Sequence, residues 1–141
     1  MKILVVDDDP QVRDFLCFGL REAGFEVIPA GDGTEALVQV AKDKPDVILM
    51  DLDMQPMGGQ EALRRLKGDP VRSVIPVVIL SGDATPDAVR RSAASGAADF
   101  IVKSDLRLES LARRLRKAAA AAGKSRESGA NAIDEEGRGP G

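Results

Sequence analysis

The sequence predicts a single α/β domain of the doubly wound type, a five-stranded parallel sheet with helices on both faces. Five short, apolar, largely β-branched runs recur along the chain, at Lys2–Val6, Glu26–Ala30, Asp46–Met50, Pro76–Leu80 and Asp99–Val102. Runs of this kind suit strands that are covered on both sides. The intervals between them carry helical patterns instead of hairpin turns. Strict alternation with short loops demands right-handed crossovers, each long enough to hold a helix, and therefore a parallel sheet. The length, 141 residues, fits one domain at the usual ~100 to 200 residues each.

The helices follow from periodicity and punctuation. Between the first two strands, Val12, Phe15, Leu16, Gly19, Leu20 and Ala23 keep a 3.6-residue period that stops at Gly24. Thr34 to about Lys42, Gln60 to about Lys67 and Pro86 to about Ser95 fit three more helices. Asp32-Gly33, Gly58-Gly59, Thr85-Pro86 and Gly96 mark their ends. A fifth helix runs from about Leu106 into Ala118–Ala122. The domain is expected to occupy residues 1–122. From Gly123 the chain is Gly, Ser and mixed charge with Ile133 as its only large apolar residue, so residues 123–141 are expected to be a disordered tail.

Composition excludes several classes of function. No apolar run approaches membrane-spanning length, and the opening strand runs straight into Asp7-Asp8-Asp9, which no signal peptide would tolerate. A cytoplasmic location is the expectation, with no membrane partner. The one cysteine, Cys17, makes no internal disulfide, and with no histidine in the chain there is neither a Cys/His pair nor a zinc site. Any phosphohistidine must then belong to a partner. A net charge of −3 gives no general field for nucleic acid. The basic run Arg113-Arg114-Leu115-Arg116-Lys117 reads as a solvated helix face near a C-terminal end.

In open parallel sheets, ligands bind beyond the carboxyl ends of the strands. Those ends carry Asp7-Asp8-Asp9 after the first strand, Asp51 after the third, Ser81 after the fourth and Lys103 after the fifth. Carboxylates sharing one crevice repel unless a cation sits among them, and hard oxygen ligands select Mg2+ or a similar ion. A carboxylate beside such an ion, a lysine and a hydroxyl is what phosphoryl transfer needs, since positioning and charge neutralisation supply most of its catalysis. Asp51 is therefore the expected phosphoacceptor.

These positions, in register, resemble the receiver domain of two-component response regulators over residues 1 to about 120. Ile3-Leu4-Val5-Val6-Asp7-Asp8 is similar to that family's first strand and acidic pair, and Asp51 to its phosphoacceptor. Ser81 resembles its switch hydroxyl, Phe100 its switch aromatic and Lys103 its lysine. The resemblance implies a flavodoxin-like strand order 2-1-3-4-5. It implies Mg2+ held directly by Asp8 and Asp51, by Asp7 through water, and by the backbone carbonyl of Asp53. It further implies a sensor histidine kinase or histidine phosphotransfer protein as donor, and a downstream protein as target. The fourth helix, fifth strand and fifth helix would form the altered surface, which is also a candidate homodimer face. A stand-alone receiver is expected, with Phe18, off the inward stripe of the first helix, as a candidate anchor for the phosphodonor.

Three departures qualify the resemblance. Gln55 stands where the family has proline, with Pro56 after it, and Ser104 follows Lys103 in place of proline, for which a trans bond is expected. Asp53, two residues beyond Asp51, with Asp83 two beyond Ser81, is expected to alter the lifetime of a phosphorylated state. The run Asp51-Leu52-Asp53 also resembles the nucleophile and acid/base pair of haloacid-dehalogenase-like phosphatases. A phosphorylation-independent pseudo-receiver is the other alternative.

Overall fold

The computed structural model describes residues 1–54, 57–83 and 85–137, with side chains described through Gly123. Five strands, β1 (Lys2–Val6), β2 (Glu26–Ala30), β3 (Val47–Asp51), β4 (Val77–Ser81) and β5 (Asp99–Val102), form one sheet. All neighbours are parallel, in the order β2-β1-β3-β4-β5. The expected fold and strand order are both present.

Side-chain alternation along each strand divides the interior into two cores. Ile3 and Val5, Val47 and Leu49, and Val78 and Leu80 face one side, where α1 (Pro10–Glu22) and α5 (Leu108–Gly137) cover them with Leu16, Leu20, Leu111 and Leu115. Leu4 and Val6, Ile48 and Met50, and Val77 and Ile79 face the other side. There α2 (Gly33–Asp43) contributes Ala36 and Val40, and α3 (Gly59–Lys67) contributes Ala62, Leu63 and Leu66. The remaining helix, α4 (Pro86–Ala94), buries only Ala88 and Ser92. Fully burying a Leu, Ile or Val is worth about 1.5–3 kcal/mol, so the two cores hold the sheet while α4 is the most lightly seated helix.

Local chemistry sets the element ends. Asp9 starts α1 by accepting the Gln11 amide, Asp32 starts α2 by accepting the Glu35 amide, and Thr85 starts α4 by accepting the Ala88 amide. Gly24 and Gly96 both adopt φ of +99°, the left-handed turn that closes a helix and admits glycine best.

Four sequence expectations shift. The third strand starts at Val47, just after Asp46, which donates its amide to the Lys2 carbonyl at 2.9 Å and accepts the Lys2 amide on its carboxylate at 2.8 Å. The fourth starts at Val77, since Pro76 has no N–H for the ladder and serves only as acceptor for Ile48. Asp51 and Ser81 thus end their strands instead of following them. On α1 the inward place given to Phe15 is taken by Cys17, and Phe15 is 55% exposed. Finally, α5 continues helical to Gly137, beyond the expected boundary at Ala122. Ala118 and Ala119 are the last described side chains that pack on the core, and no proline breaks the helix before Pro140. Gln55 and Pro56 lie outside the described residues. No described helix is long and apolar enough to cross a membrane.

Candidate functional site

Register assembles the site. Val6 pairs with Met50, so the next residues, Asp7 and Asp51, emerge side by side at the ends of β1 and β3, on either side of the point where strand order reverses. Asp51 lies opposite Leu80, and Ser81 opposite Val102, which carries Ser81 and Lys103 to the same edge. Each side chain is therefore placed by backbone hydrogen bonds in the sheet.

The lysine bridges the acids. Lys103 Nζ is 3.2 Å from Asp51 Oδ2 and 3.8 Å from Asp7 Oδ2. Asp51 Oδ1 also accepts the Asp53 amide at 3.2 Å, and Asp7 Oδ1 accepts the Asp9 amide at 2.9 Å. Asp7, Asp51 and Ser81 are all buried, while Asp8 is exposed. Burial pushes the Asp51 carboxyl above the ordinary carboxylate range. The Asp53 amide opposes that shift, the charge of Asp7 adds to it, and Lys103 offsets part of it. Asp7 is likewise raised, chiefly by burial, against its bond to the Asp9 amide and the pull of Lys103. For Lys103, burial alone would lower the ammonium, but Asp51 and Asp7 together outweigh it and hold the group above its usual value. It is only partly buried, so desolvation costs it less than the attraction returns.

The donor set suits a cation. Asp7, Asp8 and Asp51 each offer a carboxylate oxygen, and these three atoms lie within 4.8 Å of one another. Asp7 Oδ2 is buried and has no hydrogen-bond partner among the described residues. An orphaned buried anionic oxygen is costly unless something charged or donating meets it. Lys103 at 3.8 Å is too far for a hydrogen bond and supplies one charge for three acids. Two buried carboxylates with one exposed partner form an open-sided oxygen site of the kind hard divalent ions take.

The structure brings Asp7, Asp8, Asp51 and Lys103 together as expected, and separates other roles. Asp9, third of the acidic run, is the α1 cap. The Ser81 hydroxyl accepts the Asp83 amide at 3.0 Å. Phe100 is half-buried against the α2 and α3 core, one residue out of phase with buried Ile101. Asp53 is exposed, and its carboxylate adds to the field on Lys103.

Two contributors escaped the sequence reading. The Arg13 guanidinium donates to the carbonyl of Asp7 at 2.8 Å, fixing the β1 terminus. Gly59 stands directly against the Asp51 carbonyl, and a methyl group there would also come within 2.7 Å of Leu52 Cα. Its amide donates to the Leu52 carbonyl at 2.9 Å. The Gly58-Gly59 pair was the signal, but it was legible only as a helix start.

Comparison with known proteins agrees with this geometry. Residues 3–116 match the family model of the response regulator receiver domain. The chain is 38% identical over 103 residues to the CAI-1 autoinducer sensor kinase/phosphatase CqsS of Vibrio cholerae, covering 72% of this chain and 15% of that protein. It is 39% identical over 102 residues to the DNA-binding response regulator MtrA of Mycobacterium tuberculosis, covering 72% and 43%. The chain thus spans less than half the length of these curated relatives. Among solved structures it is similar to the chemotaxis protein CheY4 of Vibrio cholerae, with a TM-score of 0.78, 32% identity, and coverage of 83% of this chain and 97% of that one. A signal receiver domain of a histidine kinase from Syntrophus aciditrophicus gives a TM-score of 0.78 at 33% identity, covering 85% and 90%. The match rests on the receiver pattern over most of the chain, which removes the phosphatase alternative. With its sheet order, its strand-end acids and this match in agreement, the chain belongs to the response regulator receiver domain family.

Proposed function

We propose that Asp51 accepts a phosphoryl group from a phosphohistidine on a partner kinase or phosphotransfer protein, and that the domain acts as a switch and not as a turnover enzyme. The observation that carries this reading is the buried Asp51 carboxylate held between Lys103 and Asp7 at the switch point of the sheet. In the transfer, Asp51 forms the new O–P bond as the P–N bond to imidazole breaks, and the leaving imidazole takes up a proton. Asp8, Asp51, the Asp53 carbonyl and, through water, Asp7 would hold Mg2+, which when bound supplies positive charge to the transferring oxygens. Lys103 neutralises charge from the opposite side. Ser81 turns its hydroxyl to a phosphoryl oxygen and draws the β4–α4 loop inward, and Phe100 follows into the vacated space. The packed switch lies within residues 1–122, with α4, β5 and α5 as the altered surface for a target or a second copy. Slow hydrolysis of the acyl phosphate resets it, at a rate that Asp53 and Asp83 influence through their charge beside the attacking water.

The donor side is supported by α1. Phe18 is 67% exposed, and Phe15 is exposed beside a groove of about 290 Å3 formed with Gln11, Val12, Leu80, Lys103 and Leu106. One exposed aromatic beside Lys103 and a second on the same helix suit a docking face, and aromatic anchors commonly dominate such contacts. Incubation with acetyl phosphate and Mg2+, followed by intact-mass measurement, tests the acceptor. One added phosphoryl group, absent from Asp51→Asn, is expected; no addition, or addition that survives Asp51→Asn, overturns the reading in favour of a pseudo-receiver.

A further inference from the structure

The helix α4 is held differently from the other four. It buries no large apolar side chain, only Ala88 and Ser92, and Val89 is 38% exposed. Little apolar surface is removed from water by such contacts. Among the described residues, one side-chain hydrogen bond joins α4 to another helix or strand. Gln60 Nε2, on the first turn of α3, donates to Ser92 Oγ at 3.3 Å, and Ser92 is fully buried. A buried hydroxyl against a half-buried amide is a contact that holds one arrangement of two helices and is lost when they slide.

Both ends of this contact lead back to Asp51 by short routes. Gln60 follows Gly59, whose backbone abuts the Asp51 carbonyl and whose amide is bonded to the Leu52 carbonyl, so the first turn of α3 is seated on the phosphoacceptor's own backbone. Ser92 lies on a helix whose start is chained to Ser81. The Ser81 hydroxyl accepts the Asp83 amide at 3.0 Å, Asp83 Oδ1 accepts the Thr85 amide at 2.9 Å, and Thr85 Oγ1 accepts the Ala88 amide at 3.3 Å. Drawing Ser81 toward Asp51 therefore pulls α4 along while α3 stays on the Asp51 backbone. At 3.3 Å the Gln60–Ser92 bond is near the limit of a hydrogen bond and has no slack for that displacement.

We propose that Gln60 is a positioning residue: its bond to Ser92 latches α4 in the resting domain, and phosphorylation of Asp51 breaks the latch and frees the helix for a partner. This rests on the phosphoacceptor reading of Asp51, and adds a second mechanical link beside the one through Ser81 and Phe100. The two-state element is the docking of α4, which the latch biases directly and the phosphoryl group biases through Ser81.

Amide hydrogen exchange of the full chain, read by mass spectrometry, tests it. In the resting protein, Gln60→Leu and Ser92→Ala should each speed exchange within residues 86–94 about fivefold, the factor corresponding to the net worth of one hydrogen bond. The double variant should exchange no faster than either single one, and the strands should be unchanged. Loading wild type with acetyl phosphate and Mg2+ should raise α4 exchange to the level of the variants, and the same loading should change α4 exchange in the variants by less than about twofold. Gln60→Glu, whose carboxylate accepts from the Ser92 hydroxyl, should restore the resting protection. Unaltered α4 exchange in the resting variants, or an equal response to loading in variants and wild type, overturns the latch. Failure of acetyl phosphate to load Asp51 appears first in the intact mass and overturns the acceptor reading, whereas the latch is judged in the unloaded protein.

Discussion

Lys103 and Asp51 meet across the end of the sheet, with Nζ 3.2 Å from Oδ2, and burial acts on them in opposite proportion: Asp51 is 2% exposed and the lysine side chain 34%. Removing the lysine would leave two buried carboxylates, Asp51 and Asp7, without the cation that pairs with both of them among the described residues. Breaking a buried pair by deleting one partner costs about 3–5 kcal/mol, and the partial exposure of Lys103 reduces this to roughly 2 kcal/mol. Lys103→Met is therefore expected to lower stability by that amount in metal-free buffer, as read from urea titration. Added Mg2+ should shrink the loss, and the double variant Lys103→Met, Asp51→Asn should recover most of it. An equal loss with and without Asp51 would contradict the pairing.

Asp7 makes the opposite prediction. Its Oδ2 is buried and accepts no hydrogen bond among the described residues, its burial raises its own pKa, and its charge disfavours ionisation of Asp51. Asp7→Asn keeps the shape and removes the charge, so without metal it should stabilise the fold by about 1–2 kcal/mol. Mg2+ should erase the advantage, because a ligand bound only to the folded wild type adds about 2.7 kcal/mol at a hundred times its dissociation constant. Thermal unfolding of both proteins with Mg2+ and with a chelator reads the comparison. A destabilised Asp7→Asn in chelator would refute the strain assigned to that oxygen.

How legible the domain was in the sequence depends on the range of the interaction. The strands were legible because β1, β3 and β4 are runs apolar on both faces and the two edge strands keep short apolar cores, and the parallel register then delivers Asp7, Asp51, Ser81 and Lys103 to one edge. Phe15 was misplaced because the period of α1 fits either Phe15 or Cys17 on the inward stripe, and in the structure Cys17 is buried while Phe15 lies exposed beside the groove with Leu106. The helical continuation to Gly137 was not legible, because a stretch with Gly123, Gly129 and mixed polar residues carries no apolar stripe to mark a helix. Gln60 and Ser92 are 32 residues apart and carry no motif; only the packing of α3 beside α4 brings them together. Within the basic run of α5, read as a solvated face, Leu115 is buried in the core, Arg116 lies over the Phe25 ring at 4.6 Å, and Arg114 is drawn into an ion pair.

Arg114 pairs with Asp99 at the start of β5 through two hydrogen bonds, at 2.6 and 2.7 Å, and a third from its guanidinium reaches the Phe100 carbonyl. The guanidinium bonds hold the Asp99 carboxyl below its ordinary value, against a smaller effect of burial. A depressed folded-state pKa means that the unfolded chain takes up its proton first as the solution is acidified. The pair's contribution is thus complete above the unfolded value near 3.8 and disappears as pH falls through the lower folded one. Since both groups are about one-third exposed, that contribution is about 1 kcal/mol. The stability difference between wild type and Asp99→Asn should be constant from pH 7 to about pH 5 and shrink as the pH falls below the unfolded value and through the lower folded one. A difference that grew on acidification would reverse the assigned sign.

Gly59 makes the sharpest steric prediction. A Cβ at this position meets the Asp51 carbonyl and comes within 2.7 Å of Leu52 Cα, both backbone atoms that the sheet holds in place. Gly68, at the other end of α3, is a matched control: a Cβ there comes no closer than 3.4 Å, and its φ of −82° suits any residue. Gly68→Ala should be neutral or stabilising by about 0.5 kcal/mol through the unfolded state. Gly59→Ala should cost about 2–3 kcal/mol by overpacking, and because the displaced atoms belong to the phosphoacceptor it should also slow phosphoryl uptake from acetyl phosphate. Denaturant titration and the rate of mass gain in the two variants decide it. Loss of stability with unchanged uptake would mean that the α3 start yields instead of Asp51, and that the phosphoacceptor backbone is more firmly held than the helix resting on it.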